Sequence, residues 1–151
     1  HELDFLYWYF GKVEEIFSIT KKQSQLKVNV DDISIMILKF KKNILGEIHL
    51  DYFQRPDFKR CKIISSKGTL YWDSNINEVK FYSNNKNKWI KKIELKKYEK
   101  NQMYVDEILH FLKSVKNKKK TINPLSEGVK TLEISLAAKK ASIQKRMLKI
   151  N

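Results

Sequence analysis

Between Val13 and Leu95 the chain is a succession of short apolar or alternating runs, separated by turn-forming clusters too short to hold a crossover. Two parallel strands need a connection of a dozen or more residues. Lys41-Lys42-Asn43, Lys67-Gly68, Ser74-Asn75-Ile76-Asn77 and Asn84-Asn85-Lys86-Asn87 are each too short for that, and their Gly, Asn, Ser and Lys content suits tight turns. The strands they join must therefore pair antiparallel. In the first run, Val13, Phe17 and Ile19 share one parity, which predicts a half-buried strand. Residues 33–40 are apolar on both parities at their centre, as in an inner strand covered on both faces. In 44–53, Ile44, Ile48, Leu50 and Tyr52 form one face, and Glu47, His49 and Asp51 the other. Further strands are expected at 58–65, 69–73, 77–83 and 88–95.

Helical spacing brackets this block. Leu3, Leu6, Tyr7 and Phe10 recur at helical intervals over residues 2–10, and Gly11 suits the left-handed residue that ends a helix. A helix this short must pack on something. Tyr104, Ile108, Phe111, Leu112 and Val115 form an apolar stripe on a helix expected over 101–117, with Asn101 as N-cap. A second helix is expected over 126–144 with Ser126 as its cap. Its Ala137, Ala138 and Ala141 are small enough to let it lie close to a sheet. Met147-Leu148-Lys149-Ile150 reads as a short returning edge strand. Together these predict an α+β fold: one open, mostly antiparallel sheet of six or more strands, with the helices covering one face. The Glu47, His49, Asp51 side belongs to the other face.

Composition narrows the function classes. A length of 151 residues with 42% apolar content fits a single domain, 1–151, with a real core. One cysteine, Cys61, excludes an intrachain disulfide framework and any multi-cysteine zinc site, and a core position with no redox role is expected for it. No apolar stretch approaches the ~20 residues of a membrane span, and no basic-then-apolar leader opens the chain, so a cytoplasmic location is expected. The text opens at His1 in mid-pattern, as expected of a piece of something longer. The net charge is +14, but lysine supplies 28 of the 31 basic residues and only Arg55, Arg60 and Arg146 are arginines. Nucleic-acid binders concentrate arginine, whose fork pairs with phosphate in two bonds, so the excess reads as a solvated basic surface and not a nucleic-acid interface.

Residue chemistry alone names no reaction. The four glycines, at 11, 46, 68 and 128, are too scattered for a phosphate-cradling loop. No HExxH signature is present, the three histidines and the acids show no metal-ligand spacing, and Ser65, Ser66 and Ser126 lie in no nucleophile motif. No metal site is expected.

Seven short words go further. His1-Glu2-Leu3-Asp4 is followed by Trp8 and Phe10-Gly11-Lys12-Val13. Asp31-Asp32 precedes an apolar strand, and Asn43-Ile44-Leu45-Gly46-Glu47-Ile48 leads into His49-Leu50-Asp51-Tyr52-Phe53-Gln54-Arg55-Pro56. Ser66-Lys67-Gly68-Thr69-Leu70-Tyr71-Trp72-Asp73 comes next, then Met103-Tyr104, Glu107 and His110-Phe111. Pro124-Leu125-Ser126-Glu127-Gly128, Leu132-Glu133-Ile134 and 137–142 close the series. In this order they resemble the C-terminal domain of the glucose–fructose oxidoreductase/inositol dehydrogenase (Gfo/Idh/MocA) family, over nearly the whole chain. Ser66 stands where the family's pattern has its first glycine of "G-x-x-G-T-L-x-W-D".

That resemblance implies an N-terminal Rossmann domain elsewhere that binds NAD or NADP and carries the family's "E-K-P" lysine. This chain would then supply substrate contacts, one catalytic side chain and an oligomer surface. It implies that His1 accepts the proton of a secondary hydroxyl on a sugar, nucleotide sugar or cyclitol while hydride leaves the same carbon. An imidazole, with an unperturbed pKa near neutrality, suits that task. The Asp partner four residues upstream would precede residue 1. Tyr52, Gln54 and Arg55 sit at the end of a strand that approaches substrate in relatives, and Arg55 suits a carboxylate or phosphate held by two bonds, or an ion pair with Asp51 or Asp57. His110 is expected to be a packed helix histidine, and Asp4 to cap or brace the first helix. A homo-oligomer through the open sheet face is implied, and this chain alone should bind no dinucleotide and catalyse nothing. The competing readings are a non-catalytic sugar-binding or dimerisation module and, less favoured, a basic nucleic-acid-binding domain.

Overall fold

The computed structural model describes residues 1–94, 99 and 101–150. The chain runs α1 (Glu2–Phe10), β1 (Val13–Lys21), β2 (Ile33–Phe40), a 3-10 turn (Lys41–Asn43) and β3 (Ile44–Asp51). It continues through β4 (Arg60–Ser65), β5 (Gly68–Asp73), β6 (Glu78–Ser83) and β7 (Lys88–Glu94) to α2 (Gln102–Lys116), α3 (Leu125–Gln144) and β8 (Leu148–Lys149). The α+β class and the antiparallel pairing hold throughout. Leu95, the expected last residue of the seventh strand, lies outside the described residues.

The strands divide differently from the single sheet expected. They form two four-stranded sheets, in the orders β3-β2-β1-β8 and β4-β5-β6-β7. The chain forms two compact units: His1–Gln54 with Lys120–Asn151, and Arg55–Lys119. The break follows β3. The Asp51 carboxylate accepts hydrogen bonds from the Phe53 and Gln54 amides (3.0 and 2.6 Å), an Asx turn that ends the strand two residues before the sequence pattern did. Pro56, after a cis bond from Arg55, has no amide hydrogen to extend a ladder.

In the first unit the core gathers Val13 and Ile16 from β1, Met36, Leu38 and Phe40 from β2, Ile48 from β3, and Ile134 and Ala138 from α3. Leu3, Leu6, Tyr7 and Phe10 of α1 pack against it, with the Phe10 and Phe40 rings 5.5 Å apart. Small residues do let α3 lie close. The Ser18 hydroxyl donates to the Ala138 carbonyl (2.5 Å), and the Ser142 hydroxyl accepts from the Thr20 amide (2.8 Å). α3 begins at Leu125 after Pro124, so Ser126 lies inside the first turn and is not the cap. Gly11, at φ 78°, ends α1 as expected, and β8 pairs with β1 as the returning edge strand.

Two expectations about strand faces change. A register shift between Val13 and Glu15 turns Val13 and Ile16 to the same side, which leaves Phe17 and Ile19 on the opposite face from the core. β2 is covered on one face only: Met36, Leu38 and Phe40 are buried, whereas Ile35 and Ile37 are exposed.

In the second unit, β4–β7 put Cys61, Ile63, Leu70, Trp72, Val79, Phe81 and Ile90 on one face. Tyr71, Tyr82 and Trp89 lie on the other, with the Lys80 ammonium 5.3 Å from the Tyr71 ring and 5.1 Å from the Trp89 ring. Gly68 opens β5 at φ 148°, with Tyr82 and Phe81 directly above it. α2 turns His110 and Ser114 inward, and Asn101 holds its first turn through the backbone carbonyl, with no side-chain cap. The stripe expected to bury (Tyr104, Ile108, Phe111, Leu112, Val115) is 55–61% exposed, because it lies about a third of a turn around the helix from that pair.

Candidate functional site

His1 precedes the first residue of α1, and its carbonyl accepts the first helical hydrogen bond, from the Phe5 amide at 2.9 Å. Its imidazole makes no capping bond and projects into solvent, 99% exposed. One turn on, Asp4 is half-buried, and its Oδ1 accepts a hydrogen bond from the Thr131 hydroxyl of α3 at 2.8 Å. This is the brace expected of Asp4. Beside it, Lys130 donates to Glu127 (2.7 Å) and lies 5.8 Å from the Tyr7 ring. The bond to Glu127, then one to Tyr7, raises the Lys130 pKa above the usual lysine value, and the bond from Lys130 holds Glu127 below the usual carboxylate range. Five side chains from α1 and α3 thus form one polar cluster beneath the first turn. Nothing local in the sequence marks Tyr7, Glu127, Lys130 or Thr131 as partners of that turn. Only the Glu-x-x-Lys spacing of 127 and 130 is visible as a helix pair.

Tyr52 and Gln54 are brought together at the end of β3, around Asp51. The Tyr52 amide donates to the Asp32 carbonyl (3.1 Å), and the His49 ring nitrogen Nε2 lies 3.1 Å from Asp51 Oδ2. Asp32 itself is fully buried. It accepts bonds from Lys22 Nζ (2.7 Å), the Ser24 hydroxyl (2.5 Å), and the Gln23 and Ser24 amides (2.6 and 3.1 Å). Burial opposes its charge, but these donors outweigh burial and hold the carboxyl well below the usual range. The 22–32 loop is therefore tied to the base of the Tyr52 segment.

His1 and Tyr52 belong to different ends of this sheet. The bonds Ala138–Ser18 and Ser142–Thr20 show that α3 runs alongside β1 in the same direction. Thr131 precedes Ala138 by about two turns, ~10 Å. Asp51 lies ~10 Å past Ile48, which is level with Ser18 through Met36. The Asp4 end of α1 and the Tyr52 segment are thus separated by roughly 20 Å along the strands. Arg55, the third expected substrate contact, is exposed and opens the second unit.

The remaining candidates are quieter. His110 is half-buried on α2, and its carbonyl accepts the Ser114 hydroxyl (2.9 Å). Cys61 is half-buried in β4, and burial pushes its thiol up. Among the described residues no group of three His, Cys, Asp or Glu is placed to hold a metal ion, and no helix is long and apolar enough to cross a membrane. Gly11 ends a helix, Gly46 lies against Phe40, Gly68 opens a strand and Gly128 sits inside α3. None opens the glycine-rich strand-to-helix turn that cradles a dinucleotide pyrophosphate in a Rossmann domain.

The face of β1–β3 away from α3 is open. Across it run the register rows Phe17–Ile37–Glu47 and Ile19–Ile35–His49, with Leu45 and the Glu15–Lys39 ion pair (3.2 Å) at one end. Ile19, Ile35 and Ile37 are 50%, 42% and 48% exposed. Three β-branched apolar side chains side by side on an uncovered sheet make a contiguous apolar patch.

Comparison with known proteins agrees with this architecture. Residues 1–71 match the family described as the GFO/IDH/MocA C-terminal domain. No curated protein matches the chain. Among solved structures, an oxidoreductase domain protein from Kribbella flavida is similar with a TM-score of 0.86 and 15% identity, over 100% of this chain and 48% of that one. A levoglucosan dehydrogenase in complex with NADH is similar with a TM-score of 0.83 and 13% identity, over 100% and 48%. The WlbA dehydrogenase from Bordetella pertussis, in complex with NADH and UDP-GlcNAcA, gives 0.73 and 17%, over 100% and 43%. The chain spans less than half the length of each, and the shared feature at these identities is the fold.

Proposed function

We propose that this chain, whose first 71 residues match the GFO/IDH/MocA C-terminal domain and whose whole length has the fold found in oxidoreductases, is the substrate-binding and oligomerisation domain of a cytoplasmic NAD(P)-dependent dehydrogenase acting on a secondary hydroxyl of a sugar, nucleotide sugar or cyclitol. The observation that carries the reading is His1. It opens the matched segment and stands at the exposed N-terminal end of α1, with an imidazole committed to no structural bond.

The chemistry assigned to this chain is proton transfer and positioning. His1 takes the hydroxyl proton as the C–H bond gives up hydride, since a neutral imidazole is a competent base near pH 7. The nicotinamide that would accept hydride belongs to a Rossmann domain outside these residues, and no group described above cradles it. Tyr52, Gln54 and Arg55 are proposed as substrate contacts. The ~20 Å between the Asp4 end of α1 and Tyr52 favours a long substrate. A nucleotide sugar has a reacting ring at one end and a charged nucleotide at the other, and the WlbA complex holds a ligand of that type. Arg55 would then grip a phosphate or carboxylate by its two-bond fork.

The test is turnover of the full-length parent enzyme on a panel of sugars, nucleotide sugars and cyclitols with NAD and NADP. His1→Ala is expected to lower kcat by ~10²–10⁴-fold, the range for loss of a general base. Near-normal turnover would remove His1 from the reaction. Titration of this chain alone with NAD or NADP in a calorimeter should give no binding heat, and saturable binding would overturn the division of labour.

A further inference from the structure

Resting on that reading of His1, we infer that Thr131 is a positioning residue for the reaction: its hydroxyl, through Asp4, fixes the first turn of α1 and with it the direction of the His1 imidazole. The observation is a side-chain bond joining residues 127 positions apart in sequence, Thr131 Oγ1 to Asp4 Oδ1 at 2.8 Å.

The first turn of α1 depends on tertiary contacts. The helix has nine residues, too few to persist by its own hydrogen bonds, and none of them is fully buried. Its apolar anchors, Leu6, Tyr7 and Phe10, lie toward its C-terminal half, and Phe10 is the residue that meets a fully buried ring, Phe40. Trp8 and Tyr9, in the last turn, are 75% and 52% exposed, and at the N-terminal end His1 has no side-chain cap. In that turn Leu3 packs against the core, and Asp4 supplies a directional bond to α3.

Spacing makes this bond matter for His1. Residues three apart lie on the same side of a helix, one turn above the other, so a displacement of Asp4 carries His1 with it. A carboxylate in the first turn also favours the helix end through the backbone dipole, which keeps that turn wound at the position where a base must be aimed. The Glu127–Lys130 pair and Tyr7 flank the bond.

The experiment uses the full-length parent enzyme and four variants: Thr131→Val, Thr131→Ser, His1→Ala and the pair H1A/T131V. Thr131→Val keeps the shape and removes the hydroxyl. It is expected to lower kcat by ~10–10²-fold, as a misplacement of about 1 Å in a catalytic group does, with the KM for dinucleotide unchanged. Thr131→Ser, which keeps the donor, restores most of the rate. In the H1A background, T131V is expected to cost nothing further, because two residues acting as one unit are not additive. Wild-type turnover in T131V, or an equal loss in the presence and absence of His1, overturns the positioning role while leaving the assignment of His1 intact. Near-normal turnover of H1A overturns the assignment of His1 and this inference with it. Should T131V fail to fold, Thr131→Ala is read in the same way against Thr131→Ser.

Discussion

Ile37→Lys tests whether the open face of the β1–β3 sheet is an interface between copies of this chain. Ile37 is 48% exposed, and its neighbours on the same face, Ile35 two residues before it in β2 and Ile19 diagonally across in β1, are exposed to about the same extent. Fully burying an isoleucine is worth ~1.5–3 kcal/mol, so the exposed half of each is worth ~1 kcal/mol if a partner covers it. In a two-fold interface every residue counts twice, so the three isoleucines would supply ~6 kcal/mol before ordering costs. Ile37→Lys removes ~2 kcal/mol of that and places two like charges in contact, for a total of ~3 kcal/mol or more, or at least ~100-fold in Kd. The chain already carries +14, so association should also tighten as salt screens the repulsion. Sedimentation equilibrium over a concentration series, at low and high salt, reads both effects. The variant should melt at the wild-type temperature, since Ile37 points away from the core formed by Leu38 and Phe40. Identical association constants for wild type and variant would refute the reasoning, as would a wild-type chain that stays at 18.1 kDa under every condition.

Gly68→Ala should unfold or strongly destabilise the β4–β7 sheet, because a Cβ there would lie 1.9 Å from the Tyr82 carbonyl and 2.8 Å from the Phe81 ring. A loss of ~3 kcal/mol or more is expected, whereas Gly128→Ala, inside α3 with open space around it, should gain ~0.5–1 kcal/mol. Thermal melts followed by circular dichroism separate the two, and equal melting temperatures would refute the close approach. Asp32 sets an acid limit. Its folded pKa is depressed, so its stabilising contribution is fully present above the ordinary aspartate pKa of ~3.9 and fades as pH falls below it. Urea midpoints of the wild type should therefore drop between neutral pH and pH ~3 by more than those of Asp32→Asn, and parallel pH profiles would show that the loop does not depend on that charge.

How far the fold was legible depends on the range of the interaction that set each feature. Turns were local matters of residue chemistry, and Asn77, Asn87, Lys42 and Asn43 adopt the positive φ that their clusters implied. Helix ends set by a glycine were equally plain, as at Gly11. The parity of β1 was not, because one irregularity between Val13 and Glu15 inverts the relation of Val13 to everything after it, and no residue type announces a bulge there. The division into two sheets was hidden for a similar reason. Asp51 looks like one more alternating polar residue of a strand, and only its bonds to the Phe53 and Gln54 amides show that it ends the ladder. The exposed stripe of α2 shows the limit of periodicity itself: spacing tells which residues share a helix face, not which face the rest of the unit meets.

The candidate site divides along the same line. His1, Asp4, Tyr52, Gln54 and Arg55 were singled out because they fall within short ordered words, and the structure adds where each of them sits. The partners that give those residues geometry were not, since Thr131 meets Asp4 from the far end of the chain and Asp32 meets the Tyr52 amide across two strands. A hydroxyl donor can come from any Ser or Thr, and α3 alone offers Ser126, Thr131, Ser135 and Ser142. What selects Thr131 is that Ala138 and Ser142 lock α3 against Ser18 and Thr20, which fixes both the height and the rotation of the helix beside α1. Substituting Ser18 should therefore be felt at His1 only insofar as it lets α3 slide. Small residues that seat a helix thus determine which polar side chain, two turns or ~10 Å along it, reaches Asp4 of α1.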